Sequence, residues 1–302
     1  MNKLRSSPAR VTVVVAAAAL AVYGAMFLAR DLLHLAQWFG AWAAVVAFSV
    51  VTWAVLFVYG VDRVRQQTAD EPRPWWKTHT AAYVLVAVLT SALMGSVTYI
   101  LQIPAAEDAR PAILVAGVVA WLAGYPWVVS VWLAHAEATA IGDDVTTLVV
   151  DDLGFATALG RIVENLERTW ETIERSSLAL AAILSTIVLD VVTLRAAWLA
   201  AGSVTEDDLP TAIALGYGAF FAVIVAAIVV PLVVSWRTQA IALVDKVVPF
   251  PVGAVPAEAD FASRARFERR LGLQSHTLRN PITLLSVFAP VLTGAVSSLF
   301  TG

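Results

Sequence analysis

The residue with the clearest capacity for chemistry is Asp190, an acid in an otherwise largely apolar stretch that is long enough to cross a membrane. A charged Asp near the centre of a bilayer costs roughly 2.5–3.5 kcal/mol on insertion scales. Thr186 and Thr193 lie at helical spacing from it, so a helix places the three side chains in one narrow polar stripe. This stripe has two interpretations: it hydrogen bonds two helices together, or it lines a pore or cavity that attracts cations.

Arg195 is the second charged residue of the same stretch. At about 100° per residue it lies about 140° around the helix from Asp190, so the two side chains cannot pair within one helix. It is also close to the end of the stretch, where a long side chain can reach the membrane surface. We therefore expect Arg195 to extend to that surface.

A second polar stripe lies in the last apolar stretch of the chain, where polar positions recur at near-heptad spacing: Ser286, Pro290, Thr293 and Ser297. The hydroxyls of Ser286, Thr293 and Ser297 are further candidates for lining a pore or cavity. The alternative is that each hydroxyl donates a hydrogen bond to a carbonyl of its own helix.

A basic cluster precedes this last stretch and consists of Arg264, Arg266, Arg269 and Arg270. Such a cluster can contact an anionic ligand, for example a nucleotide, or anionic lipid headgroups. The alternative is an internal ion-pair surface, because residues 134–177 contain nine acids against three arginines.

Motifs of enzyme chemistry are missing from the sequence. It contains no zinc-protease H-E-x-x-H, no G-x-S-x-G, no P-loop and no G-x-G-x-x-G. It contains no cysteine, which excludes disulfides and thiolate ligands or nucleophiles, and its four histidines occur singly. We therefore predict no catalytic residue, no metal site, no cofactor and no nucleic-acid partner.

The elements that position these residues are apolar stretches of span length. Of the 302 residues 59% are hydrophobic, as is typical of an integral membrane protein. The pattern predicts an all-α, polytopic transmembrane bundle of about seven spans, at residues 11–29, 39–60, 80–101, 111–133, 178–200, 212–235 and 282–300. The first stretch could be a signal peptide, but its apolar part is longer than is usual for one. The last could be re-entrant, because Pro290 lies in its middle.

The spans divide the chain into five parts. These are spans one to four (1–133), a cytoplasmic amphipathic stalk helix (134–177), spans five and six (178–235), a cytoplasmic basic segment (236–280) and a C-terminal span or re-entrant segment (281–302).

Residues 153–200 follow one uninterrupted helical pattern that is amphipathic first and apolar afterwards. The apolar stripe of the stalk, which includes Leu159, Leu166 and Trp170, must be covered by other residues. We predict that it forms an interface between subunits of a homo-oligomer, with the helix around Phe267 and Leu271 as the alternative cover.

Positive charge predicts the orientation. With a cytoplasmic N-terminus, the inner segments hold 17 Lys and Arg residues, whereas the outer loops hold only Arg30 and Arg110. This asymmetry, together with the arginine-rich composition, predicts a protein of the bacterial cytoplasmic (inner) membrane with the lipid bilayer as its first partner.

These patterns lead to one principal hypothesis about function. We predict an oligomeric membrane channel or pore that is gated through its cytoplasmic domain, with an anionic cytoplasmic ligand as a further partner. A role as a bacterial stress or defence effector is compatible with this prediction. The alternatives are a proton- or sodium-coupled secondary transporter, and a membrane scaffold that transports nothing.

Overall fold

The computed structural model describes residues 39–68, 75–100, 106–150, 154–250 and 257–273, together with 289, 291–293 and 295. The predicted first span and, apart from those last five residues, the predicted last span lie outside the described residues. Ser286 and Ser297 also lie outside them, so their predicted role in lining a pore stays a prediction.

Six α-helices lie within residues 39–270, residues 289, 291–293 and 295 are also helical, and no strand occurs among the described residues. In chain order they are α1 (Phe39–Gln67), α2 (Trp75–Ile100), α3 (Ala106–Thr147), α4 (Phe155–Ala200), α5 (Ala212–Val247) and α6 (Glu258–Arg270). The predicted all-α fold is therefore confirmed for the described part of the chain.

Four of these helices are long and apolar enough to cross a membrane, and their candidate spans are Gly40–Gln67, Ile113–Thr147, Phe155–Ala200 and Leu215–Val247. In α2 the described apolar segment, Thr78–Leu93, is shorter. On this segment the large aliphatic side chains of Val84, Leu85, Val88, Leu89 and Leu93 are exposed. Exposed apolar surface of this kind is compatible with contact to lipid.

Helix α4 confirms the uninterrupted helix that the sequence predicts, with its first residue two positions later. It has 46 residues, which corresponds to about 70 Å at 1.5 Å per residue. A span needs only about 20 residues, so about half of α4 is free to extend beyond a bilayer. Helix α6 begins at Glu258, where the Asp260 carboxylate accepts a hydrogen bond from the Ala257 N–H at 2.9 Å.

The chain divides into two compact units, and α3, α4 and α5 each contribute residues to both. The first unit comprises residues 1–129, 179–223 and 288–302, and the second comprises 130–178 and 224–287.

The core of the first unit contains a cluster at one end of α1, α4 and the loop after α4. Its buried members are Trp42, Val46, Leu194, Trp198, Val204 and Leu209. Further along α1, Gly60 lies against Pro126 of α3, and a Cβ at position 60 would be only 2.7 Å from Pro126 Cγ. The Trp127 indole N–H donates to the Leu56 carbonyl at 3.0 Å. The close approach of α1 and α3 therefore depends on glycine at position 60.

The second unit covers part of the apolar stripe of the stalk within the same chain, while Leu159 and Trp170 are half-buried. Leu166 and Ile173 are almost fully buried. The Trp170 ring packs on that of Trp236 of α5, with their centroids 4.5 Å apart, and the Trp236 indole N–H donates to the Leu166 carbonyl at 2.9 Å. Since α5 covers Leu166 and Trp170, their apolar character does not require a neighbouring subunit or the helix around Phe267. A homo-oligomer stays a prediction.

Candidate functional site

The first unit contains two polar contacts between α1 and α4, and these form the candidate site. Ser49 and Trp53 lie four residues apart on α1, and Thr186 and Asp190 lie four residues apart on α4. Residues at this spacing share one face of a helix. The two faces meet, so that Ser49 lies against Asp190 and Trp53 lies against Thr186.

The Asp190 carboxyl group is the centre of this site. Ser49 Oγ donates to Asp190 Oδ1 at 3.0 Å. Ser49 is fully buried and Asp190 is only 9% exposed. Asp190 Oδ2 is also buried, and it has no hydrogen-bond partner among the described residues. One oxygen of a buried acid is therefore fixed by a donor, and the other is open to a proton or a cation.

The second contact joins the two helices through the Thr186 hydroxyl. The Trp53 indole N–H donates to Thr186 Oγ1 at 2.8 Å, and Trp53 is almost fully buried. The same hydroxyl donates to the Ile183 carbonyl at 2.7 Å. Thr186 thus accepts one hydrogen bond and donates another, which engages its proton and one of its two lone pairs.

The remaining threonines of the two predicted polar stripes bond to their own helices. Thr193 Oγ1 donates to the Leu189 carbonyl at 2.9 Å, and Thr293 Oγ1 donates to the Ala289 carbonyl at 2.8 Å. Both residues are half-buried. Such bonds satisfy a hydroxyl without any second helix or ion. Of the described stripe residues, Thr186 and Asp190 are the ones whose side chains form a hydrogen bond with another helix.

Arg195, which we expected to extend to the membrane surface, is buried. It is only 3% exposed, and its Nε donates to the Leu209 carbonyl at 2.7 Å. Its Nη2 pairs with the Glu206 carboxylate and donates to Thr211 Oγ1 at 3.1 Å. The loop between α4 and α5 folds back over the guanidinium group and supplies its acceptors, so the side chain is covered by protein, and its place relative to the membrane surface stays a prediction.

Hydrogen bonds favour the ionised form of two acids of this loop, Glu206 and Asp208. The Thr211 hydroxyl holds the pKa of the exposed Glu206 carboxyl below its ordinary value, and the charge of Arg195 acts in the same direction. The Thr205 hydroxyl and N–H likewise lower the pKa of Asp208. The loop therefore carries a fixed negative charge on its exposed side and a buried positive charge beneath it.

In the second unit, the four arginines of the basic cluster have different surroundings. Arg264 Nη2 contacts Asp245 Oδ1 at 2.5 Å, its Nε contacts Glu268 Oε1 at 3.0 Å, and its guanidinium lies over the Phe250 ring at 4.7 Å. Burial alone would lower the pKa of Arg264, but the hydrogen bonds and charges of Asp245 and Glu268 outweigh it and raise that pKa.

The other three arginines do not join Arg264 in one site. Arg266 donates to the Ala262 carbonyl of its own helix at 3.3 Å, and the side chains of Arg266, Arg269 and Arg270 are exposed. At about 100° per residue these three lie on the side of α6 away from Arg264. Contact of this cluster with an anionic ligand or lipid stays a prediction, and its surface for that contact is Arg266, Arg269 and Arg270.

Sequence reasoning missed Ser49 as the partner of Asp190, Trp53 as the partner of Thr186 and Glu206 as the partner of Arg195. Ser49 and Trp53 were visible as polar groups four residues apart in an apolar stretch, but many helix pairs could have satisfied that pattern. Comparison of the chain with protein-family models, with curated proteins and with solved structures finds no match. Function must therefore be argued from the site itself.

Proposed function

We propose that this protein is an ion channel of the bacterial cytoplasmic membrane, in which the ion binds at Asp190 and the second unit controls conduction. The observation that supports the proposal best is the buried Asp190 carboxyl, one oxygen of which accepts from Ser49 while the other has no partner among the described residues. Acids within membrane spans mark ion pathways and proton relays more often than they serve packing alone.

A purely structural role explains this carboxyl less well. An Asn at position 190 would accept the same hydrogen bond from Ser49 through its amide oxygen and would carry no charge. An ionised Asp in the same place adds the free energy required to desolvate a charge. The acid is therefore better explained by a function that uses its charge or its proton.

The proposed topology has seven spans with the N-terminus in the cytoplasm. Its support is the placement of 17 Lys and Arg residues in the inner segments against two in the outer loops. In this topology residues 134–177 and 236–280 are cytoplasmic, and the loop around Glu206 faces outward.

We propose that the second unit controls conduction because α4 is one continuous helix with residues in both units. Helix α4 contributes Phe155–Leu178 to the second unit and Ala179–Ala200 to the first, and Asp190 is in the latter part. A ligand or partner that shifts α4 in the second unit therefore acts on the same helix that carries the acid. Exposed Arg266, Arg269 and Arg270 give an anionic ligand or lipid one place to bind.

A secondary transporter is the second candidate, and one observation favours it. Asp190 is buried against Ser49 of its own chain, so the site is complete within one subunit and needs no symmetry axis. Transporters bind their coupling ion inside the protomer near the middle of the membrane. An oligomeric channel remains compatible, provided that each subunit contains its own pathway.

The test is reconstitution of the full-length chain in liposomes and in planar bilayers. A channel gives unitary current steps, a transporter gives saturable flux without such steps, and a scaffold gives neither. The channel proposal expects current steps that Asp190→Asn reduces at least tenfold. Thr52→Val is the matched control, because Thr52 lies on α1 close to the site and its hydroxyl donates only to the Phe48 carbonyl of its own helix at 3.0 Å.

A further inference from the structure

We propose that the ion bound at Asp190 is a proton and that metal cations such as sodium are excluded. This inference rests on the proposed ion transport and names its substrate. It follows from three features of the site: the number of open oxygen atoms, the unbroken helices and the burial of a single acid.

The site offers too few oxygen atoms for a metal ion. Hard cations bind about six to eight oxygen ligands, or fewer only when waters complete the shell. Among the described residues, the oxygens available here are those of the Asp190 carboxyl group and Ser49 Oγ. Thr186 Oγ1 is occupied by the Trp53 N–H, a donor whose positive end repels a cation.

The backbone cannot supply the missing ligands. Sodium sites inside transporters use carbonyl groups freed where a helix is interrupted. Helix α1 is continuous through Phe39–Gln67 and α4 is continuous through Phe155–Ala200, so the carbonyls on both sides of the site are engaged in helical hydrogen bonds. Neither helix contains a proline.

A proton needs only what the site provides. Binding forms one O–H bond at Asp190 Oδ2, converts the carboxylate to a neutral carboxylic acid, and releases the proton again when that bond breaks. Ser49 keeps its hydrogen bond to Oδ1 in both states, because a hydroxyl can rotate to suit either form. Neutralisation also removes the free energy required to bury a charge in an apolar layer.

Among the described residues, no other strongly charged side chain competes for this proton. Ser49, which donates to Asp190 from α1, and Trp53, which donates to Thr186 one turn away, do not titrate. The segments 39–60, 80–100, 111–133 and 212–235 contain no Asp, Glu, Lys, Arg or His. Arg195, on the same helix as Asp190, is engaged by Glu206 and the Leu209 carbonyl. Asp190 is thus the one acid of α4 between Ser176 and Ala200.

The experiment uses the full chain in liposomes that contain a pH-sensitive dye, with a potassium diffusion potential as the driving force. The proposal expects proton entry that does not depend on sodium and that falls at least tenfold in Asp190→Asn. Asp190→Glu should retain part of the flux. Ser49→Ala should conduct but shift its half-maximal flux to higher pH, because the carboxylate loses its donor. Thr52→Val should behave as wild type.

A second measurement does not depend on flux. The infrared difference between acidic and alkaline samples should contain a carboxylic acid C=O band that is missing in Asp190→Asn, provided that this variant elutes as the wild type does on size exclusion. Asp190-dependent sodium flux without proton flux would overturn the proton assignment and leave ion transport intact. Proton flux that is unchanged in Asp190→Asn would overturn the assignment as well. No flux of any ion in the wild type would overturn both proposals.

Discussion

Ser49 Oγ donates to Asp190 Oδ1 at 3.0 Å, and this hydrogen bond joins α1 and α4 through residues that are 141 positions apart in the sequence. Both residues are buried, so water cannot replace either partner. The bond therefore fixes the register between the two helices, and it also holds one oxygen of the only acid in the apolar half of α4.

The first prediction concerns the stability of this contact. Asp190→Leu leaves the fully buried Ser49 hydroxyl without its acceptor, and an unsatisfied buried hydroxyl costs about 1–3 kcal/mol. We expect a lower melting temperature in detergent for Asp190→Leu and one close to wild type for Asp190→Asn. Equal melting temperatures for wild type and Asp190→Leu would contradict a contribution of this bond to folding.

Gly60 supports a second prediction, with a matched control on the same helix. In Gly60→Ala the new Cβ lies 2.7 Å from Pro126 Cγ, and overpacking of this kind destabilises by about 1–3 kcal/mol. At Gly40 a Cβ meets no atom within 4 Å, so Gly40→Ala gains only helix propensity. Thermal unfolding should show a decrease for Gly60→Ala and no decrease for Gly40→Ala. A decrease of the same size in both would assign the effect to backbone flexibility.

Arg195→Gln should loosen the loop between α4 and α5. The variant loses the pairing with Glu206 and the buried hydrogen bond from Nε to the Leu209 carbonyl, and a hydrogen bond to a charged group contributes about 1.5–3 kcal/mol when it is buried. Limited proteolysis should cut residues 201–211 faster in this variant. Arg161→Gln is the control. The Arg161 side chain is exposed, and its ion pair with Asp144 is long, at 3.8 Å. Equal cleavage rates would show that Arg195 does not hold the loop.

The rate at which a protease cuts the same loop should depend on pH. In the folded chain the pKa of Glu206 is below its ordinary value of 4.5. The contacts of Glu206 with Thr211 and Arg195 therefore contribute stability at pH values above 4.5. This contribution is lost as the pH falls through the lowered folded pKa. Proteolysis of the wild-type loop should therefore be constant from neutral pH to about pH 5 and should accelerate only below the unfolded pKa.

Leu166 tests whether the stalk stripe packs within one chain. Leu166→Ala creates a cavity in the second unit, and a buried Leu→Ala change destabilises by about 2–5 kcal/mol. We expect a clear decrease in melting temperature with the mass of the folded particle unchanged, whereas the exposed Glu164→Ala has little effect on either. Dissociation into smaller particles without a loss of stability would place Leu166 at an interface between subunits.

Reporter fusions test the proposed topology. Fusions after Gly202 and after Thr211 should read out as extracytoplasmic, and fusions near Gln66 and Ala259 as cytoplasmic, because the positive charges are concentrated in the latter segments. An inverted readout at Ala259 would remove the basis for a cytoplasmic second unit.

The sequence by itself determined the local properties of this protein. Apolar stretches of span length and the absence of proline from residues 128–209 were enough to predict the continuous α4. They did not predict that α3 continues to Thr147, into the segment 134–177 that was assigned to the stalk helix. Helix formation depends on hydrogen bonds between residues four apart, so a pattern within one segment can identify it. The sequence also singled out Asp190. An acid within an apolar stretch of span length loses its water on burial, and this can be seen from that stretch alone.

Only the tertiary structure decided which groups meet. Ser49 and Trp53 were two of many polar groups in apolar stretches, and nothing in either segment selects Thr186 and Asp190 as their partners. Arg195 was expected at the membrane surface, but the loop supplies its acceptors from residues up to 16 positions later. The stalk stripe required a cover, and α5 provides it through Trp236. Packing between helices depends on the fit of all side chains at once, and so it cannot be read from the periodicity of any single segment.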